Sequence, residues 1–401
     1  MSRPRPVVNT KLRQIRRYMQ YKRNLSVSPP PLESNFNSGN TSNGPYARKK
    51  YPDREDRLFI AVSNLSQTNE CLIFTSKSCT MSIVTIPRLD LLAYTQGSAA
   101  QRRQFSQDIG SAFTGTGFAT ITNHGMDKAL ITELYEVIQA FFALPEEKKR
   151  QYEVPGLAGQ RGYTSKGREK AKDANTPDLK EFWQRGQTLS DETLSKADYP
   201  DNVAVSEIPR FDTVTGTIYG RLEAIGRELL KAIAVYLNLD EDYFEPKVHQ
   251  GNSILRAIHY FPIEEPDHLP ADAVRAGAHE DINLITLLIG ASADGLEVLT
   301  RGGTWYPVKA HGEDIVVNVG DMLQRLTNNK LKSTTHRVVN PPRELMKMSR
   351  YSVPFFLHPR ASMSLAALQS CVDDHHPNAY PDTTAGEYLN ERLREIGLKL
   401  N

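Results

Sequence analysis

The chain has 401 residues, 39% hydrophobic and 24% charged, with a formal net charge of +2, a balance that implies neither a nucleic-acid nor a membrane partner. No apolar run reaches the ~18 residues that a membrane span requires. Three cysteines, Cys71, Cys79 and Cys371, without a C-x-x-C pair, argue for a reducing compartment and against a disulfide framework.

The first 80 residues stand apart from the rest. Arg3 to Arg23 is a basic run, and no acid precedes Glu33. Residues 30–57 are too polar to bury surface that would offset their ordering entropy, so residues 1–80 are expected to be a disordered basic and polar extension. An organellar transit peptide, a basic interaction tail and an upstream extension of the reading frame compete as its explanation.

Beyond Ile83 the patterning sharpens. IPRLDLLAY (86–94) reads as a short strand and turn, QRRQFSQDIGSAFTGTG as a helix ended by Gly115 and Gly117, and FATITNHG as a strand. Leu130, Leu134, Val137, Ile138 and Phe141 share one face of a helix over 127–143, and Ile218, Leu222, Ile225, Leu229 and Ile233 do so over 215–237. From Ile254 to Leu357, short β-rich runs broken by Gly, Pro and Asn predict an antiparallel double-sheet jelly roll, and hence an α+β chain. The end predicts a helix docked on the roll, with a capping box at Thr384 and Glu387 and a stripe through Leu389, Leu393 and Ile396.

Within the β-rich region lie His279, Asp281, His336 and Arg350: an H-x-D pair, a second histidine 55 residues beyond the aspartate, and an R-x-S closing at Ser352. Two neutral imidazoles and a carboxylate suit Fe(II) and leave three coordination positions open. Residues i and i+2 of a strand point to one face, so His279 and Asp281 could reach one metal from a single strand. Arg350 and Ser352 share that offset, and a guanidinium fork plus a hydroxyl suits a carboxylate. A dicarboxylate whose other end chelates the iron fits this division of labour. An H-x-D pair alone is weak, since roughly one arises by chance in every two chains of this composition. His311 and Glu313 form a competing pair, and His249, His259 and His358 fit ordinary half-buried histidines bonded to backbone.

The surroundings decide. HEDINLITLLIG (279–290), DGLEVLTRGGTWYPVKA (294–310), residues 313–342 and SRYSVPFFLHP (349–359), preceded by GTGFATITNHGM (115–126), FFALPEEKK (141–149) and KEFWQRG (180–186), resemble the isopenicillin N synthase-like family of 2-oxoglutarate- and Fe(II)-dependent dioxygenases from about Ile83 to the C-terminus. The resemblance implies a double-stranded β-helix (jelly-roll) core flanked by helices. It divides the chain into an N-terminal dioxygenase region (83–190), a helical support (191–249), the Fe(II)/2-oxoglutarate core (250–360) and a C-terminal segment and helix (361–401). It implies that His279, Asp281 and His336 are the catalytic metal ligands. Arg350 and Ser352 would bind 2-oxoglutarate, aided by Tyr260 of LRAIHYFP (255–262), where His259 and Phe261 are the alternatives.

The implied reaction consumes O2, is stimulated by ascorbate, releases succinate and CO2, and hydroxylates, desaturates or cyclises a small-molecule substrate. Tyr163, Phe182 and Trp183 are candidates for the substrate pocket or for the core. Arg325, in GDMLQRLTN (320–328), falls on a strand that the family places near the iron, where it would read a substrate carboxylate or pair with an acid at the surface. Met81-Ser82-Ile83 resembles a family start, which favours the reading-frame explanation of residues 1–80. A cytoplasmic location follows, or organellar import if that stretch is a transit segment. Two rivals remain: an Fe(II) oxidase of the isopenicillin N synthase type that uses no 2-oxoglutarate, and a non-catalytic jelly-roll binding protein with a residual metal site.

Overall fold

The computed structural model describes residues 86–395 except 158, 169–177, 190–198, 270–272, 291–294 and 310–311, together with the backbone of three short strands nearer the N-terminus. Those strands, β1 (Ile60–Ala61), β2 (Cys71–Ile73) and β3 (Ser82–Val84), pair antiparallel in a sheet of their own. Apart from those strands, the expected extension of residues 1–80 and the start at Met81 lie outside the described residues.

After β4 (Arg88–Asp90), where only a strand and turn were expected, Asp90 accepts from the Leu92 N–H and starts a short helix, α1 (Leu91–Thr95). Helix α2 (Ala99–Gly115) opens on a reciprocal capping box of Ser98 and Gln101. The chain then runs through β5 (Phe118–Thr122), α3 (Lys128–Phe142), capped by Asp127, α4 (Glu146–Arg150), β6 (Gly162–Thr164) and β7 (Lys180–Gly186). Next come α5 (Phe211–Tyr236), α6 (Glu245–Val248), β8 (Ile254–Tyr260), β9 (Ala276–His279), β10 (Ile285–Ile289), β11 (Leu296–Leu299), β12 (Trp305–Pro307) and β13 (Ile315–Val319). The last elements are α7 (Asp321–Leu326), β14 (His336–Val338), β15 (Arg350–Leu357) and α8 (Ala385–Glu395).

Two sheets carry the site. The major sheet has the order β4-β5-β13-β10-β15-β8-β7-β6 and the minor sheet β12-β11-β14-β9. This is the expected α+β jelly roll with flanking helices, and β4 to β7 complete the major sheet from the N-terminal side. Alternation along each strand separates two environments. On β15, Val353, Phe355 and Leu357 join Leu222, Leu229 and Ile233 of α5 in the principal core. Gly226 lets that helix press close, because a Cβ there would lie 2.3 Å from the Leu357 Cδ1. Each fully buried Leu, Ile or Phe of this layer contributes about 1.5–3 kcal/mol. The alternate residues of β15 face the space between the sheets. The helix read at 215–237 begins four residues earlier, at Phe211. Thr384 and Glu387 form the expected capping box, with Glu387 Oε2 accepting from the Thr384 N–H at 2.9 Å. Ile396 of the expected stripe lies outside the described residues. Among the described residues, no helix is long and apolar enough to cross a membrane.

Candidate active site

His279 ends β9 and His336 begins β14, and the two are Cα partners across the minor sheet with ring centroids 4.4 Å apart. The expectation that one strand carries both members of the H-x-D pair is corrected: β9 stops at His279, and Asp281 lies beyond it on the turn into β10. Other contacts do the work of the strand. Thr286 Oγ1 and Asn318 Nδ2 donate to Asp281 Oδ2 at 2.6 and 2.8 Å, and the Asp281 carbonyl accepts from the Asp321 N–H at 2.8 Å. Gly320 permits this tight turn, since a Cβ there would meet Asn283 Oδ1 at 2.1 Å.

Both histidines are oriented from behind. Nδ1 of His279 lies 2.7 Å from the Gly277 carbonyl, and Nδ1 of His336 lies 3.0 Å from the Thr334 carbonyl. A carbonyl only accepts, so each Nδ1 carries the proton and each Nε2 presents a lone pair. Those Nε2 atoms face Asp281, at 3.9 Å from Oδ1 and 3.8 Å from Oδ2 respectively. The three ligand atoms all lie within 4.8 Å of one another, so the set could hold one metal ion. Protonation favours binding as well. Desolvation inside the barrel and the neighbouring His336 lower the His279 pKa to about 4, which keeps the imidazole neutral. Burial pushes the Asp281 carboxyl up, but His336, His279, Asn318 and Thr286 outweigh it and hold the group below its ordinary value. The donor set, its neutral imidazoles and its charged carboxylate fit Fe(II).

Arg350 and Ser352 sit two apart on β15, 2% and 3% exposed, on the inward face as the i, i+2 reading expected. Tyr260 is the Cα partner of Arg350 on β8, and its ring lies 4.8 Å from the Arg350 guanidinium carbon. His259 and Phe261, the alternatives to Tyr260, do not line the cavity: the His259 ring contacts Glu181 and Ser349 on the other face and packs against Phe261. Tyr260, Arg350, Ser352 and the His279–Asp281–His336 set line one cavity of about 520 Å³ between the sheets.

Other expectations are redirected. Arg325 is on α7 rather than on a strand, donates to the Pro381 carbonyl at 2.8 Å, lies over the Tyr380 and Tyr388 rings and does not line the cavity. Tyr163 and Trp183 belong to the principal core, and Phe182 packs with Ile258, Tyr260, Ala276 and Val338 between the sheets. His311 of the competing pair lies outside the described residues. Several contributors escaped the sequence reading. Thr286 and Asn318 anchor Asp281, Leu389, Arg392 and Leu393 bring α8 onto the cavity, and His358 and Asn252 line it too. His358 had a signal, because steps of two from Arg350 lead to it, although it lies just past the strand.

Comparison with known proteins agrees with this geometry. The family described as non-haem dioxygenase in morphine synthesis N-terminal matches residues 86–207, and the 2OG-Fe(II) oxygenase superfamily matches residues 251–359. The chain is 35% identical over 320 residues to the proline hydroxylase buaE of Petromyces alliaceus, covering 77% of this chain and 98% of that protein. A Caulobacter crescentus protein provisionally assigned to the 2OG-Fe(II) oxygenase family has a solved structure that is 45% identical, with a TM-score of 0.70, over 78% of this chain and 99% of the other. A full-length Neurospora crassa protein, solved in complex with alpha-KG and thymine, is 28% identical with a TM-score of 0.69, over 78% of this chain and 97% of that one. The chain therefore belongs to the 2OG-Fe(II) oxygenase superfamily and is a 2-oxoglutarate- and Fe(II)-dependent dioxygenase.

Proposed function

We propose that the enzyme hydroxylates a C–H bond of a small polar molecule, with His279, Asp281 and His336 holding Fe(II) and Arg350, Ser352 and Tyr260 receiving 2-oxoglutarate. The observation that carries the reading is the convergence of two Nε2 lone pairs and one carboxylate on the cavity that Arg350 and Ser352 also line. When bound, Fe(II) with 2-oxoglutarate supplies the oxidising power, consuming O2 and releasing succinate and CO2. The protein's part is placement. Backbone carbonyls fix the two imidazoles, Thr286 and Asn318 fix the carboxylate, and the guanidinium fork of Arg350 matches a carboxylate bidentately while Ser352 adds a hydroxyl. Tyr260 forms the floor under that guanidinium. The two sheets and α8 enclose the chamber and limit the access of bulk water.

Relatives support this choice: one is a proline hydroxylase, which favours hydroxylation, and one is solved with thymine, a small polar molecule. Hydroxylation is therefore preferred here to desaturation or ring closure, and ascorbate is expected to stimulate turnover. The chain is read as regions 83–190, 191–249, 250–360 and 361–401, with the chemistry in the third. Anaerobic loading of the full chain with Fe(II) and titration of 2-oxoglutarate tests the reading through the visible charge-transfer band of the chelate. A band in the wild type that disappears in Asp281→Ala is expected. Iron retention without a band would replace the reading with the 2-oxoglutarate-independent oxidase, and no iron retention would replace it with the binding protein.

A further inference from the structure

The inward face of β15 runs Arg350, Ser352, Pro354, Phe356, and the next step of two reaches His358. On β8 the same face runs back from Tyr260 through Ile258, Arg256 and Ile254 to Asn252. Phe356 and Ile254 are Cα partners, so His358 and Asn252 stand together just past the paired ends. The Asn252 N–H donates to the Pro359 carbonyl at 3.2 Å, and the His358 N–H donates to Ser253 Oγ at 3.2 Å, which clamps the two segments. Thr286, which holds Asp281, is the Cα partner of Phe356, so the metal ligands stand near this end while Arg350 occupies the other.

Both side chains are built into the wall and idle. Each is 7% exposed, and Asn252 Oδ1 and His358 Nδ1 are buried without a hydrogen-bond partner among the described residues. Buried polar groups almost always find partners, because leaving them unmade is costly. Both also line the 520 Å³ chamber and an adjoining pocket of about 90 Å³ beneath α8. A cavity wall with two adjacent unsatisfied polar side chains is suited to a ligand that satisfies them.

We propose that Asn252 and His358 are the substrate-recognition end of the cavity and take a neutral molecule with an amide-type edge, an N–H beside a C=O, as in a lactam or cyclic imide. This deepens, and rests on, the Fe(II)/2-oxoglutarate reading of the same chamber. A side-chain amide offers one donor group and one acceptor, and a neutral imidazole does the same. Burial lowers the His358 pKa to about 4, so near neutral pH the ring carries no charge. A neutral partner then completes the hydrogen bonds without bringing an ion out of water. Arg256 adds a flat polar floor: its guanidinium lies 4.3 Å over the Phe182 ring and 5.2 Å over that of Phe356, and Nε donates to Gln184 Oε1 at 2.9 Å. Such a stack suits a planar ring with a carbonyl oxygen.

The test is calorimetric titration of the full chain, loaded with Mn(II) and 2-oxoglutarate, with thymine, with 2-pyrrolidinone and with L-proline. Binding of a cyclic amide or imide is expected, weakened at least tenfold by Asn252→Leu and by His358→Phe, with the affinity for 2-oxoglutarate unchanged in both. His358→Gln, which keeps a donor and an acceptor, is expected to retain binding within about threefold, a result that simple misfolding would not give. The proposal is overturned if only L-proline binds, if no probe binds while 2-oxoglutarate does, or if both substitutions leave amide binding untouched. Failure of 2-oxoglutarate itself to bind would bring down the underlying reading along with this one.

Discussion

Strands β7 and β8 carry charged and polar residues on both faces, and the two faces behave differently. On the face toward the helices, Glu181 accepts from Lys149 Nζ at 2.6 Å, from His259 Nδ1 at 2.7 Å and from the Tyr163 hydroxyl, while His259 Nε2 contacts Ser349 Oγ at 2.9 Å. Burial pushes the Glu181 carboxyl up, but His259, Lys149 and Tyr163 outweigh it and hold it below its ordinary value. On the face toward the chamber, Asn252 and His358, just past the paired ends of β8 and β15, leave Oδ1 and Nδ1 without a hydrogen-bond partner among the described residues. Residue type does not separate structural from functional polarity here. Whether the protein itself completes the hydrogen bonds does, because a satisfied network has nothing left to offer a ligand.

The contrast is testable from both sides. The largest effect is expected from Asp281→Ala: Fe(II) retention and succinate formation should vanish. The fold should survive a cost of about 1–3 kcal/mol, since Thr286 and Asn318 each lose an acceptor. Normal turnover in that variant would remove Asp281 from the site. Glu181→Leu, on the opposite face, should lower stability by about 3–5 kcal/mol in denaturant unfolding by stranding the buried Lys149 ammonium, with the KM for 2-oxoglutarate unchanged. A stable Glu181→Leu enzyme with a much altered KM would reverse the assignment of the two faces.

A pH series sharpens the chamber side. His358 has a folded pKa of about 4 against an ordinary 6.5, so the unfolded chain binds the extra proton first. Its contribution is therefore harmless above pH 6.5, and stability is lost as pH falls from 6.5 toward 4, by up to roughly 3 kcal/mol. Thermal melts of His358→Phe should show a shallower decline across that window than the wild type. Parallel curves would mean that His358 is not held neutral. The smallest effect concerns the co-substrate: Arg350→Lys replaces a fork with a point charge and should raise the KM for 2-oxoglutarate about 10- to 100-fold, or roughly 1.4–2.7 kcal/mol. An unchanged KM in steady-state assays would place the carboxylate elsewhere.

Much of the site was legible because it depends on short-range spacing. H-x-D and R-x-S name residues that a strand or a tight turn brings together, and Arg350 and Ser352 do share one strand face. The error at Asp281 was instructive: the spacing placed it correctly while the assumed strand had already ended, and side chains from β10 and β13 hold it instead. Arg325 went wrong for the opposite reason, since a six-residue helix inside a β-rich region gives too short a period to recognise.

Residue types, their alternation and their ordered motifs thus determined the class of fold and the reaction class, and they singled out the residues proposed here as metal ligands and as the co-substrate arginine, since these rest on local geometry and on ligand chemistry. Only the tertiary structure decided which of His259, Tyr260 and Phe261 faces the chamber, that Asn318 and Thr286 anchor Asp281, and that α8 bounds the cavity beside Asn252 and His358. Apart from the Thr286 contact, five residues along the chain, those facts depend on sheet register and on contacts between residues tens to hundreds of positions apart, and a one-residue change of register would turn strand residues such as Tyr260 and Asn318 to the other face.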